Sequence, residues 1–143
     1  VKLAADRAVV AGQVVDFVGK RLEALWGEEF PPDLVAAVLS AGFDDAVDAR
    51  RRLEALGAAR ARPDFAPLAA TFKRVANIQE KARGAGSARV DPALLRDEAE
   101  RRLHGELAQV EAEVARLRAS RDYPAILAAV AGLGPAVDRF LAE

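Results

Sequence analysis

Leu103, Leu107, Val110, Val114 and Leu117 recur at alternating spacings of four and three, and no stretch of the chain convincingly shows the two-residue alternation of a half-buried strand. Such a seam belongs to a long helix that packs along a neighbour. The same helical period returns elsewhere, each time between residues that start or stop helices. Val10, Val14, Phe17, Val18 and Leu25 define a first helix from roughly residue 3 to 26, ending at Trp26-Gly27. FPPDLVAAVLSAGFDD places prolines where a short helix begins, near 32, and Gly42 where one ends. Asp44 or Asp45 caps a third helix with Ala46, Ala49, Leu53 and Leu56 on its apolar side and Gly57 as its stop. Pro63 and Asp64 open a fourth. Asp91-Pro92 reads as cap and first residue of the long fifth helix, Asp122 and Pro124 start a sixth that ends at Gly132-Leu133-Gly134, and Pro135 starts a seventh. RGAGSAR, within about 82–90, is expected to be a flexible loop. The fold class this implies is all-α, an antiparallel bundle of about six to seven helices with short connections, read as one domain over 1–143.

Composition limits what such a bundle does. Apolar residues make up 52% and charged residues 30%, a globular balance. The amino end lacks the regions of a secretory signal, and no run approaches the ~18 apolar residues of a spanning helix, so a cytoplasmic protein with no membrane partner is expected. With no cysteine, disulfides and thiolate metal sites are excluded. The net charge of −1 gives no global field for nucleic acid, so any basic site is local. Valine at position 1 marks the chain as an expected piece of a longer one.

The fourth helix holds such a local site. It contains FKRVANIQEK at 72–81, and along it Phe65, Leu68, Phe72, Val75 and Ile78 fall within an arc of roughly 140° suited to burial. Lys73, Arg74, Asn77 and Lys81 share the opposite side. Two readings compete: a solvated face with Glu80 softening its charge, or cations for phosphates and a carboxamide for a base edge in a single-stranded loop. Asn77 has a third possibility, a hydrogen bond within the bundle, since its helix propensity is poor. In Arg50-Arg51-Arg52, Asp48 is spaced to pair with Arg51 and Arg52, leaving Arg50 as the least compensated cation. Arg50 and Arg51 are therefore candidate phosphate contacts, and Arg60 and Arg62 would extend that patch.

The remaining singular residues favour structure over chemistry. His104 follows Glu100 by one helical turn, but two ligands are too few for a catalytic metal site, so an exposed, uncoordinated histidine is expected. Trp26 and Tyr123 sit at helix boundaries, where a ring covering the core is preferred over one stacking on bases. Glu28-Glu29 and Asp44-Asp45 are expected to complement helix dipoles rather than act as acid and base. No phosphate loop, nucleophile elbow or metal signature is present, so no catalytic or metal residue is assigned.

The succession VVDFVGKRLEALW, PPDLVAAVLSAGFDDAVDARRRLEAL, FAPLAATFKRVANI and LAAVAGLGPAVDRFL resembles the carboxy-terminal anticodon-binding region of the beta-subunit family of bacterial glycyl-tRNA synthetases. FKRVANI is the most specific string, closely matching a YKRAANI pattern with Phe72 in place of tyrosine and Val75 in place of alanine. The resemblance covers nearly the whole chain and implies an all-helical domain of the DALR anticodon-binding type. It implies as partners glycine tRNA and an alpha subunit in an alpha/beta heterotetramer. By the same resemblance the alpha chain joins glycine to tRNA with ATP and magnesium, and the chain here needs no cofactor of its own. The tRNA contacts the resemblance implies are Lys73, Arg74 and Asn77, inside the matched string; Lys81, Arg50 and Arg51 join them as candidates from the charge pattern alone. By the same resemblance a final amphipathic helix is expected beyond PAVDRFLAE, outside this chain.

Overall fold

A computed structural model describes residues 6–81 and 90–142. Among the described residues there are seven α-helices, one 3₁₀ turn and no strand, as the periodicity predicts. The helices are α1 (Arg7–Gly27), α2 (Pro32–Ser40), α3 (Ala46–Arg60), α4 (Phe65–Lys81), α5 (Glu98–Ser120), α6 (Tyr123–Ala131) and α7 (Gly134–Ala142). They group into two compact units, Val1–Gly57 and Ala58–Glu143.

In the first unit Asp6 caps α1, its Oδ1 accepting from Ala8 N–H at 3.0 Å. The chain turns after Trp26, whose carbonyl accepts from Phe30 N–H at 2.8 Å, and Pro32 starts α2 at a position that has no use for an N–H. Trp26, Leu34, Val35, Val38, Ala49 and Leu53 form the core, with Leu22, Phe30, Leu39, Phe43 and Leu56 packed around it. The tryptophan is thus a core residue, as its boundary position suggests. Gly19 lets the Phe43 ring lie close: a Cβ there would meet Phe43 Cζ at 3.1 Å.

Two expectations fail in this unit. The stripe Val10, Val14, Phe17, Val18 and Leu25 is not the packed side of α1; Val14, Phe17 and Leu25 are 55%, 65% and 57% exposed. Of the stripe only Val10 is half-buried; the helix buries Trp26 and half-buries Gly19 and Leu22 on a different side of the same wheel. Gly57 does not stop α3 either, which continues to Arg60. A glycine weakens a helix interior by only about 1 kcal/mol, and here the Phe30 ring lies 3.5 Å from where a Cβ would stand. Asp45 caps α3 as expected, accepting from Asp48 N–H at 3.0 Å.

In the second unit the long helix starts later than Asp91-Pro92 suggests. Asp91 accepts from Ala93 N–H at 3.0 Å, but the turn it caps is only the 3₁₀ segment Pro92–Leu94. The helix begins at Glu98, after Asp97 as N-cap, with Glu100 reaching back to accept from Asp97 N–H at 3.2 Å. This capping box outcompetes the Asp-Pro signal because it satisfies orphan N–H groups reciprocally. Arg121 ends α5 in the left-handed region, with φ 56°, and Asp122 caps α6 by accepting from Ala125 N–H at 3.1 Å. Both α6 and α7 pack on α5, and α7 packs on α4. Of the heptad seam Leu117 is buried, Leu103, Val110 and Val114 are half-buried, and Leu107 is exposed. The expected loop at about 82–90 lies almost wholly outside the described residues.

By length and composition Tyr123–Ala142 would suffice to cross a membrane, although Asp138 and Arg139 interrupt its apolar residues. A turn at Gly132-Leu133 divides it into α6 and α7 of 9 residues each. Such a helix is about 14 Å long, half of a bilayer's hydrocarbon core.

Candidate nucleic-acid interface

Helix α4 is anchored at its N-terminal half and free at its C-terminal half. Thr71 is its one buried residue, and Phe65 and Leu68 are half-buried. Leu68 reaches Gly134, where a Cβ would lie 3.7 Å from Leu68 Cδ1. Thr71 Oγ1 donates to Asp138 Oδ1 on α7 at 2.9 Å, which gives a buried hydroxyl its partner. Beyond this point the expected apolar side is not covered: Phe72, Val75 and Ile78 are 43%, 38% and 50% exposed. Periodicity identifies the side of α4 that faces its neighbour, but among the described residues α7 covers only part of that side.

The polar side is open. Lys73, Arg74, Asn77 and Lys81 are all exposed. Lys73, Asn77 and Lys81 stand one turn apart along one face. Arg74 flanks them, and its Nη1 lies 3.9 Å from Asp138 Oδ1, a loose contact between half-exposed groups. The Asn77 carboxamide makes no hydrogen bond to a described residue, so the alternative of a bond within the bundle is not realised among them. This face therefore offers cations for phosphate and an unengaged amide with donors and an acceptor.

The arginines of the first unit are arranged otherwise. Arg50, expected to be the least compensated, is heavily paired. Its Nη1 and Nη2 donate to the two carboxylate oxygens of Glu29 at 3.2 and 2.6 Å, its Nε donates to Glu54 at 2.9 Å, and its guanidinium lies 4.7 Å from the centroid of the Phe30 ring. These hydrogen bonds, first to Glu29 and then to Glu54, raise the Arg50 pKa, and the ones donated by Arg50 hold the Glu29 carboxyl below its ordinary range. Glu29 thus serves an ion pair rather than a helix dipole. Asp48 pairs with Arg52, whose Nε lies 3.2 Å from Asp48 Oδ2 and whose Nη2 donates to the Gly42 carbonyl at 2.6 Å. Arg51 is exposed and pairs with no described residue. Arg62, in the second unit, forks onto Asp64 at 3.0 and 2.7 Å, lowering the Asp64 pKa, and Arg60 is also engaged.

His104 is half-buried rather than exposed, and the Glu100 carboxylate one turn before it serves the capping box. Among the described residues no group of three or more His, Asp or Glu could hold a metal ion. Tyr123 is half-buried and engaged. One feature has no local sequence signal: a cleft of about 280 Å³ lined by Glu98, Ala99, Arg102, Leu103, Arg139 and Phe140. Arg102 and Arg139 both reach Glu106, at 3.1 and 3.4 Å, the second across 33 residues of chain.

No family model matches the chain. It is 66% identical over 140 residues, 98% of its length, to the glycine–tRNA ligase beta subunit of Anaeromyxobacter dehalogenans (strain 2CP-1). It is 49% identical over 129 residues to the subunit of that name from Myxococcus xanthus, and 42% identical over 139 residues to that from Geobacter sulfurreducens. Those matches cover 98%, 90% and 97% of this chain, but the chain spans only 20%, 18% and 20% of the three subunits. Similarity along nearly its whole length makes this all-α chain a homologue of part of an aminoacyl-tRNA synthetase. Its homologues within that class are glycine–tRNA ligase beta subunits, the resemblance that FKRVANI carries.

Proposed function

We propose that this chain is the anticodon-binding module of a glycine–tRNA ligase beta subunit, supporting the ATP-dependent joining of glycine to tRNA by the parent enzyme. The observation that carries the reading is the open strip on α4: Lys73, Arg74, Asn77 and Lys81 exposed inside and beside FKRVANI, on a chain homologous to such subunits. Lys73, Arg74 and Lys81 bind phosphates, and Asn77 reads a base edge or orders the loop. Arg51 is a further phosphate contact. Arg50 is the weakest of the candidates, because it would have to leave Glu29 and Glu54 to reach RNA. ATP and magnesium act with the alpha subunit of a cytoplasmic alpha/beta heterotetramer, and the module itself holds neither.

The test is binding of glycine tRNA and of an anticodon-substituted tRNA across a salt series. Lys73→Ala lowers the slope of log affinity against log salt by about 0.7–0.9, one phosphate contact. Asn77→Ala weakens discrimination between the two tRNAs more than it weakens binding. Equal binding of both tRNAs, with an unchanged slope for Lys73→Ala, rules the reading out.

A further inference from the structure

Helix α1 is apolar on two sides, and only one of them is used. Gly19, Leu22 and Trp26 face the core of the first unit. Turned away from them, Val10, Val14 and Phe17 follow the spacings of four and three that place knobs along a coiled-coil seam, with Val18 and Leu25 beside it. Val10 is half-buried, while Val14, Phe17, Val18 and Leu25 are 55%, 65%, 39% and 57% exposed. A helix apolar on both sides is ordinarily buried on both, and contiguous exposed apolar surface of this kind marks a contact with another polypeptide. Arg21 continues the seam four residues after Phe17, is exposed, and pairs with no described residue.

We infer that this outer stripe is the docking face for another helix of the same beta subunit, from the four-fifths or so of that polypeptide that the homologous subunits contain and this chain does not span. That helix presents apolar residues to Val10, Val14 and Phe17 and a carboxylate to Arg21. A second copy of the chain fits less well. Parallel pairing of two stripes sets Arg21 against Arg21, and antiparallel pairing sets it against the valines. The inference rests on the chain being a segment of such a subunit, but not on the RNA face of α4.

The chain has no cysteine, so a single introduced thiol reports on its own position. Val14→Cys and Phe17→Cys are made in the 143-residue chain and in the full-length beta subunit that carries it, with Glu23→Cys, on the opposite side of α1, as reference. Alkylation at each site is followed by peptide mass spectrometry without tRNA, so failure of the RNA-binding reading leaves the result unaffected. In the 143-residue chain all three thiols react at similar rates. In the full-length subunit positions 14 and 17 slow by about tenfold or more, the mark of a contact that opens only locally and rarely, and position 23 does not. Equal rates in the two proteins overturn the inference. Protection already present in the 143-residue chain also overturns it, assigning the stripe to a second copy if it grows with concentration and to this chain's own fold if it does not.

Discussion

Leu53 is fully buried beside Trp26, Val35 and Ala49, and its truncation tests whether the core of the first unit is as closed as its packing implies. Leu53→Ala removes Cγ and both Cδ methyls. At about 0.8 kcal/mol per carbon the transfer contribution is about 2.4 kcal/mol. A cavity adds to this, since zero exposure leaves solvent no route into the space and α2 and α3 are held by their other contacts; leucine-to-alanine changes in such sites cost about 2.7–5 kcal/mol in all. The expected loss is therefore about 3 kcal/mol. Trp26 is the only tryptophan, is 4% exposed and belongs to the same cluster, so its emission reports on this unit directly. Urea denaturation followed at that signal gives the loss as a shift in midpoint at constant slope. A loss below about 0.5 kcal/mol, the range of surface substitutions, would refute the closed core and with it the placement of α3 against α1 and α2.

Three further outcomes follow from individual contacts. The Glu29 and Asp64 carboxyls have folded pKa values lowered by Arg50 and Arg62, so the stability they contribute is present above their ordinary pKa and is lost as pH falls through the lowered ones. Glu29→Gln should flatten the acid limb of a stability-against-pH curve, and an unchanged limb would deny that Arg50 is held by Glu29 in solution. Arg121→Gly should stabilise the second unit by up to about 1 kcal/mol in thermal melts, because only glycine adopts the left-handed region without cost; destabilisation would show that the arginine side chain outweighs its backbone strain. Asp138→Asn should leave the Thr71 hydrogen bond able to form while removing the charge near Arg74, steepening the salt dependence of tRNA binding if Arg74 contacts phosphate.

How far the polar strip on α4 was legible depends on range. Lys73, Asn77 and Lys81 share a face because they are four residues apart, and that spacing alone places them together in any helix. The pairing of Arg50 with Glu29, 21 residues away, has no local signal, so a cation that looked uncompensated along its own helix is the most heavily engaged. The same distinction separates the α4 strip, which periodicity located, from the cleft between α5 and α7, which depends on residues from both.

Helix existence and most helix starts were determined by the sequence itself, because caps, prolines and apolar periods act within about four residues, the span of one backbone hydrogen bond. Asp45 and Asp122 cap where their positions predict, and Asp91 fails only because Asp97 and Glu100 form a better cap six residues on. Which side of each helix is covered was decided only by tertiary structure. Periodicity states that a side is apolar, but burial requires a neighbour placed against it, and the neighbour comes from elsewhere in the chain. Hence α1 packs through Gly19, Leu22 and Trp26 and leaves Val14 and Phe17 open, and α4 buries Thr71 yet exposes Phe72 and Ile78.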